Sequence, residues 1–297
     1  MRIRSTRSFF STALAAILWR ILSFSQERIE PLGLPRLLCL PSDFLGKHLI
    51  CNGVFERETM EYVGTLIENR PLRPAFKSVF IDIGANIGNH TCFFAPRFDL
   101  TIAIEPSAVT ASILRANLLL NELSDRVTVV QAAVSDHNGK AKHHTASGNN
   151  LGGSSLDGQR RDTLHSKAEE VDLVTGDFVA ATHTDATSIL SFVKIDVEGH
   201  ELAVISGMKE VIRRDKPIIM FEADNGKSAT ACVGVIRELG YSRFIEVSGD
   251  ADAGISSLMR LLKRFVSGAK SIEAKELAVV DPAKYYETIL CVPDVQV

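Results

Sequence analysis

From residue 79 onward the chain repeats one pattern: a short apolar run with no polar alternation, then a stretch with apolar positions three and four apart. The runs are VFIDI (79–83), LTIAIE (100–105), VTVVQAAV (127–134), SFVKID (191–196), PIIMFEAD (217–224), FIEV (244–247) and ETILCVP (287–293). A strand with one wet face alternates, whereas a strand apolar throughout is covered on both faces, as in a parallel sheet between helices. The intervening segments predict helices over 87–96, over the residues after Ser107 with Val109, Ile113, Ala116 and Leu120 on one face, over a segment presenting Leu202, Ile205, Met208 and Ile212, and over 228–239. Residues 77–297 therefore read as one doubly wound α/β domain, and residues 1–76 as an N-terminal extension with a lead-in segment.

At 297 residues and 45% hydrophobic, the chain can bury one large core. A net charge of −3 with 23% charged residues excludes a dedicated nucleic-acid binder, which needs a basic excess. The five cysteines are odd in number and scattered without a C-x-x-C pair, which argues against a disulfide framework or zinc site and for a reducing, cytoplasmic setting. Arg2, Arg4 and Arg7 before FFSTALAAILW resemble the start of a signal peptide, but Arg20 interrupts the run and no A-x-A cleavage site follows. The run falls short of the ~20 residues needed to span a bilayer. Phe10, Leu14, Ile17, Leu18 and Ile21 at helical spacing predict instead an amphipathic helix over 8–23 that packs on the domain or touches a membrane surface. Residues 136–168, rich in Gly, Ser, Asn, His and charge, break the rhythm and read as a lid-like insertion, followed over 169–181 by an extra strand and a short helix.

Chemistry concentrates at the carboxyl ends of the strands, where open α/β sheets bind ligands. Asp82 sits inside the first strand, and Gly84, Asn86 and Gly88 follow as G-x-N-x-G, not the G-x-G-x-x-G of a dinucleotide site. An acid in that strand would repel a pyrophosphate and suits a ligand with an amino group or sulfonium. Glu105 ends the second strand, where a carboxylate can accept both hydroxyls of a ribose. Together the two acids describe S-adenosylmethionine better than a nicotinamide dinucleotide. Asp136, after the third strand, is placed near the adenine. Asn117 and Asn121 read as solvated or capping residues, and the His143-His144 pair as solvated surface.

Asp196, Glu198 and His200 lie within five residues at the same edge, and Glu222 ends the fifth strand. Acids in a first helical turn favour the helix dipole, which gives Glu198 a structural reading, but two carboxylates and an imidazole exceed what a helix start requires. IDIGANIGNHT, AIEPS, LNELSDRVTVVQAAVSD, FVKIDVEGHELAVISGM and PIIMFEAD together resemble the FkbM family of S-adenosylmethionine-dependent methyltransferases, over roughly residues 77–247. The resemblance implies a class I methyltransferase (Rossmann-like) fold, a seven-stranded sheet whose last strand, here ETILCVP, runs antiparallel. It also implies methyl transfer to a hydroxyl of a small molecule such as a sugar, lipid or polyketide. An alcohol acceptor gains from a general base, for which Asp196, His200 and Glu222 are candidates of equal standing. Asp196 with Asp224 and Asn225 also resembles the magnesium position of catechol-type O-methyltransferases, although the site is read here without a metal. Two other classes share the features in part. A Rossmann-type nicotinamide-dependent oxidoreductase would need the missing G-x-G-x-x-G and Tyr-x-x-x-Lys, and a non-catalytic S-adenosylmethionine-binding module would not need the DVEGHE cluster.

Overall fold

The computed structural model describes Ile17, Arg20 and residues 33–41, 43–70, 75–145, 167–223, 225–249 and 272–294. The helices α1 (Phe44–Asn52) and α2 (Arg57–Glu68) lead into β1 (Lys77–Ile83). The chain continues through α3 (Asn89–Phe94), β2 (Leu100–Ile104), α4 (Ala108–Leu120), β3 (Val127–Val130), β4 (Ala133–Ser135) and β5 (Gly139–Thr145). Then come β6 (Lys167–Thr175), α5 (Gly176–His183), β7 (Ser188–Ile195), α6 (Glu201–Ser206), α7 (Lys209–Asp215) and β8 (Ile218–Ala223). The last elements are α8 (Gly226–Glu238), β9 (Arg243–Ser248), β10 (Glu273–Glu276) and β11 (Tyr286–Val292).

The main sheet has the order β10-β9-β11-β8-β7-β1-β2-β3. Neighbours from β8 to β3 run parallel, while β11 is antiparallel to both β8 and β9. Alternate side chains of the central strands enter two cores. Val79, Ile81, Ile83, Val193, Ile195, Ile219 and Phe221 pack with Val204, Ile205, Met208 and Ile212 on one face. Phe80, Phe192 and Met220 pack with Met60 and Val63 of α2 and Phe93 and Phe94 of α3 on the other. Phe80 and Phe192 stack with ring centroids 4.9 Å apart.

Several expectations change. Among the described residues the main sheet has eight strands, not seven, because β10, from a polar segment without a strand pattern, adds to β9 at the edge. The run 127–134 is two strands: β3 stays in the main sheet, while β4 joins β5 and β6 in a separate three-stranded sheet. The polar segment 136–168 is accordingly strand over 139–145, and its end at 167–168 opens β6; residues 146–166, the heart of the proposed lid, lie outside the described residues. His143 is buried opposite Glu169 rather than solvated, because that register turns it into the small sheet. The helix carrying Leu202, Ile205, Met208 and Ile212 breaks into α6 and α7, and Leu202 points outward. On α4 the buried face is Thr110, Ala111, Leu114, Asn117 and Leu118, not the 109-113-116-120 stripe.

The lead-in segment shares the core. Besides Met60 and Val63, Val54 is buried, and the Arg70 guanidinium donates to the carbonyls of Ser191 (2.7 Å) and Lys216 (2.6 Å), tying the end of α2 to β7 and to the entry of β8. Of residues 8–23 only Ile17 and Arg20 are described, both helical and exposed. Among the described residues no helix is long and apolar enough to cross a membrane, and Cys39, Cys92, Cys232 and Cys291 are free thiols.

Candidate active site

Sheet register brings distant acids together. Asp82 of β1 lies opposite Lys194 of β7, and Ile195 lies opposite Phe221 of β8. Side chains two apart on a strand share a face. Asp82, Lys194, Asp196 and Glu222 therefore share the α2–α3 side of the sheet, at the carboxyl ends of three adjacent strands. The chain order reverses between β1 and β7, which makes this edge the topological switch point.

Asp82 has no exposed surface. Its Oδ2 accepts from the Thr91 hydroxyl at 2.6 Å, and its Oδ1, without a hydrogen-bond donor, is 3.7 Å from the Lys194 ammonium. The sequence assigned this carboxylate to a ligand's cationic end; the structure shows it buried, bonded to Thr91 and beside Lys194.

The turn after β1 is pinned on both sides. Gly84 and Ala85 both donate their N–H to the Ile104 carbonyl at 3.0 Å, and Asp196 donates to the Ile83 carbonyl at 3.0 Å. Gly84 has φ 76°, Asn86 50° and Gly88 93°, the left-handed region. A Cβ at Gly84 would lie 1.8 Å from the Asp196 carbonyl oxygen, so only glycine lets the β1 and β7 ends approach this closely. Glu105 closes the turn from β2: its carboxylate accepts from the N–H groups of Asn86 and Ser107, each at 3.0 Å. Burial pushes its carboxyl up to about 7 against the pull of those two bonds. A carboxylate has about four acceptor positions, so one bond on each oxygen leaves capacity for a further donor.

A small polar cleft with about 10 Å³ of free volume lies at the ends of β7 and β8 and is lined by Glu56, Lys194, Asp196, Glu222, Glu287 and Thr288 among others; such a volume holds about one water. Burial pushes the Glu222 carboxyl up to about 7, helped by the Asp196 carboxylate, while the Tyr285 hydroxyl, donating to its Oε1 at 2.6 Å, opposes the shift. Asp196 is partly exposed and goes the other way. Its burial disfavours the charge, yet the Lys194 ammonium 3.0 Å away wins and holds the carboxyl below the usual range. Lys194 is buried, which works against its charge, but Asp196 and Asp82 together keep the ammonium above the usual lysine range.

The remaining predicted residues spread out. Glu198 sits at φ 51°, half-buried, in the turn between β7 and α6. His200 is placed away from the cleft lining, with Nε2 3.0 Å from the Ser135 hydroxyl, and burial lowers its pKa. Asp136 is exposed, bonded to Ser135 and to His137, whose ring lies 2.6 Å away and draws its pKa down. Asp224 lies outside the described residues, and Asn225 Oδ1 accepts the Ser228 N–H at 3.0 Å as the cap of α8. Among the described residues no cluster of three His, Cys, Asp or Glu side chains could hold a metal.

Sequence reading missed Lys194, Glu56, His90 and Tyr285. Lys194 carried a signal, a lysine inside an apolar run. Glu56 opens α2 in a left-handed conformation, with its carboxylate 3.3 Å from His90 Nε2 of α3. Tyr285 immediately precedes β11. Glu56 and Tyr285 come from outside the motifs, and only the fold brings them here.

A parallel sheet reversing at β1 and β7, an antiparallel β11 inserted beside β8, and a glycine turn flanked by strand-end carboxylates define a class I, Rossmann-like methyltransferase. The methyltransferase FkbM domain profile matches residues 82–243, more than half of the chain, and the protein belongs to that family, whose cofactor is S-adenosylmethionine. No curated protein sequence matches it. Among solved structures, it is similar to an FkbM methyltransferase from Methylobacillus flagellatus KT, at 15% identity and TM-score 0.42, over 73% of this chain but only 44% of that one. It is also similar to precorrin 8W decarboxylase from Methanobacterium thermoautotrophicum, at 14% identity and TM-score 0.47, over 88% and 99% of the two chains. An O-methyltransferase from Bacillus cereus in complex with SAH is similar at 13% identity and TM-score 0.38, over 92% and 90%. The family assignment rests on the profile match.

Proposed function

We propose that this protein is an S-adenosylmethionine-dependent O-methyltransferase acting on a hydroxylated small molecule such as a sugar, lipid or polyketide, with Glu222 as the general base. The observation that carries this reading is the pair of opposite shifts at the cleft: Glu222 is raised to about 7 and Asp196 is held low. A general base works best with a pKa near the operating pH. Asp196, already paired with Lys194, is a weaker proton acceptor, and His200 is engaged with Ser135 away from the cleft.

The cofactor supplies an activated methyl group on a sulfonium. The turn at 84–88 with Glu105 is fit to hold it: the backbone approaches closely where a side chain is barred, and Glu105 keeps acceptor capacity for the ribose hydroxyls. Tyr285 holds Oε1 of Glu222, leaving Oε2 to take the proton of the acceptor hydroxyl. Asp196, fixed by Lys194, orients the acceptor in the same cleft. The acidic lining keeps the nearby potential negative, which suits a cationic donor.

The test is transfer of labelled methyl to a panel of hydroxylated and amine acceptors. Glu222→Gln should lower kcat about 10²–10⁴-fold on the hydroxyl acceptor, while affinity for S-adenosylhomocysteine by calorimetry stays within a few-fold. Near-normal turnover removes the base role. Transfer to amines alone overturns O-methylation, and tight cofactor binding with no transfer at all points to a non-catalytic module.

A further inference from the structure

The geometry points to Lys194 as a positioning residue that links the cofactor turn to the acceptor cleft. Its ammonium is 3.3 Å from the Gly84 carbonyl, 3.0 Å from Asp196 Oδ2 and 3.7 Å from Asp82 Oδ1. One cationic group thus touches the turn that meets the cofactor, the carboxylate that lines the cleft, and the buried acid between them. The inference rests on reading that cleft as the acceptor site.

A purely structural role explains this arrangement poorly. A buried ion pair is often matched or bettered in stability by apolar side chains of similar volume. If Lys194 served only to neutralise Asp82, the shorter of its carboxylate contacts would be to Asp82. Instead the hydrogen bond goes to Asp196, whose side chain is 36% exposed and faces the cleft, and Asp82 Oδ1 is left without a donor. The register is specific: Lys194 lies opposite Asp82 on β1, and Asp196, two residues on, shares its face, so a single side chain reaches both. Asp82 keeps the lysine charged inside the sheet, and the charged lysine fixes Asp196 and the direction of the Gly84 carbonyl.

Removing Lys194 alone leaves a buried carboxylate unpaired and endangers folding. The decisive variant is therefore Asp82→Asn with Lys194→Met, which removes both internal charges and keeps a partner for Thr91. We expect its thermal midpoint to stay within a few degrees of wild type and its S-adenosylhomocysteine affinity to fall by about tenfold or less. On the acceptor identified by methyl transfer, kcat should fall at least 100-fold and the acceptor KM should rise. Recovery of both stability and turnover in the double variant would show that Lys194 only neutralises Asp82, and would overturn the inference. Nitrogen-15 lysine spectra supply a readout that needs no acceptor. The ammonium signal lost in the double variant should shift in the wild-type protein on saturation with S-adenosylhomocysteine, and an unmoved signal overturns the link to the cofactor turn. Glu222→Gln separates this inference from the base assignment: an active Glu222→Gln beside an impaired, folded double variant sinks the base and keeps Lys194, and the reverse pattern does the opposite.

Discussion

At Gly84 two independent constraints coincide: φ is 76°, and the Asp196 carbonyl occupies the place of a Cβ. The obstacle is backbone, which cannot swing aside as a side chain can. Gly84→Val should push the ends of β1 and β7 apart, abolish S-adenosylhomocysteine binding in calorimetry and lower the melting temperature by several degrees, the class of strained-backbone change. Retained affinity would detach the turn from the cofactor. Glu222 gives the pH dependence. Below about 7 its carboxyl is protonated and cannot accept a proton, so kcat should rise as pH increases through about 7 and then level, and this limb should vanish in Glu222→Gln. Stability should move the other way. An acid whose folded pKa is raised from 4.5 contributes stability that is fully present below that value and is lost as pH rises through about 7, and Glu105 adds in the same sense. An acidic kcat limb lying below the usual carboxylate range, where Lys194 holds Asp196, would transfer the base role to Asp196. Acids closing apolar runs were legible as a set in the sequence. What each one does was not, because their charges are set by partners such as Lys194, 112 positions after Asp82, and Tyr285, 63 after Glu222.

Among the elements, those whose partners lie nearby in sequence were legible and those with remote partners were not. β1, β2, β7 and β8 follow from apolar runs that need cover on both faces, and a helix after each follows from spacing. Spacing alone chose the wrong face for α4, because that helix packs on its sheet and also against residues 36–38. Asn117 is fully buried: its amide accepts from Leu38 N–H (2.6 Å) and donates to the carbonyls of Leu38 (3.2 Å) and Ile87 (2.7 Å). One turn on, Asn121 accepts from Arg36 N–H and donates to its carbonyl, so two asparagines hold the incoming strand of chain as a ladder would. Nothing local to α4 encodes that partner. Asn117→Ala should strand buried backbone groups at about 1–3 kcal/mol each, lowering the melting temperature by about 2–4 °C per kcal/mol in a domain of this size. Asn121→Ala, at an exposed pair, should cost clearly less. Equal losses would mean that the ladder acts through the helix and not through burial. The split of residues 127–134 into β3 and β4 has a similar origin: both halves are apolar, and only the presence of β6 decides that the second half leaves the main sheet.

For the molecule as a whole, the family match begins at Asp82, yet the fold and the cleft begin earlier. α2 covers the aromatic face of the sheet with Met60 and Val63, both fully buried, and Val54 joins them at 1% exposure. Three such side chains are worth about 1.5–3 kcal/mol apiece, which together approaches the ~5–15 kcal/mol that holds an ordinary domain folded. The same segment brings Arg70 onto the carbonyls of β7 and of Lys216, and Glu56 into the cleft beside His90. Residues 54–70 therefore belong to the enzyme's core and not to an appendage, although their sequence lies outside the motifs that identify the family. A chain beginning at Ala75 keeps every matched motif but should be insoluble or unfolded by circular dichroism, with Phe80, Phe94 and Phe192 uncovered. The separate variant Glu56→Gln keeps α2 in place and tests the cleft alone: its melting temperature should stay near wild type, because Glu56 is partly exposed, while acceptor kinetics change and S-adenosylhomocysteine affinity does not. A folded, cofactor-binding chain from Ala75 would show that the motif-bearing region is self-sufficient, and α2 would then be a cover over the acceptor cleft and no part of the core that the sheet requires.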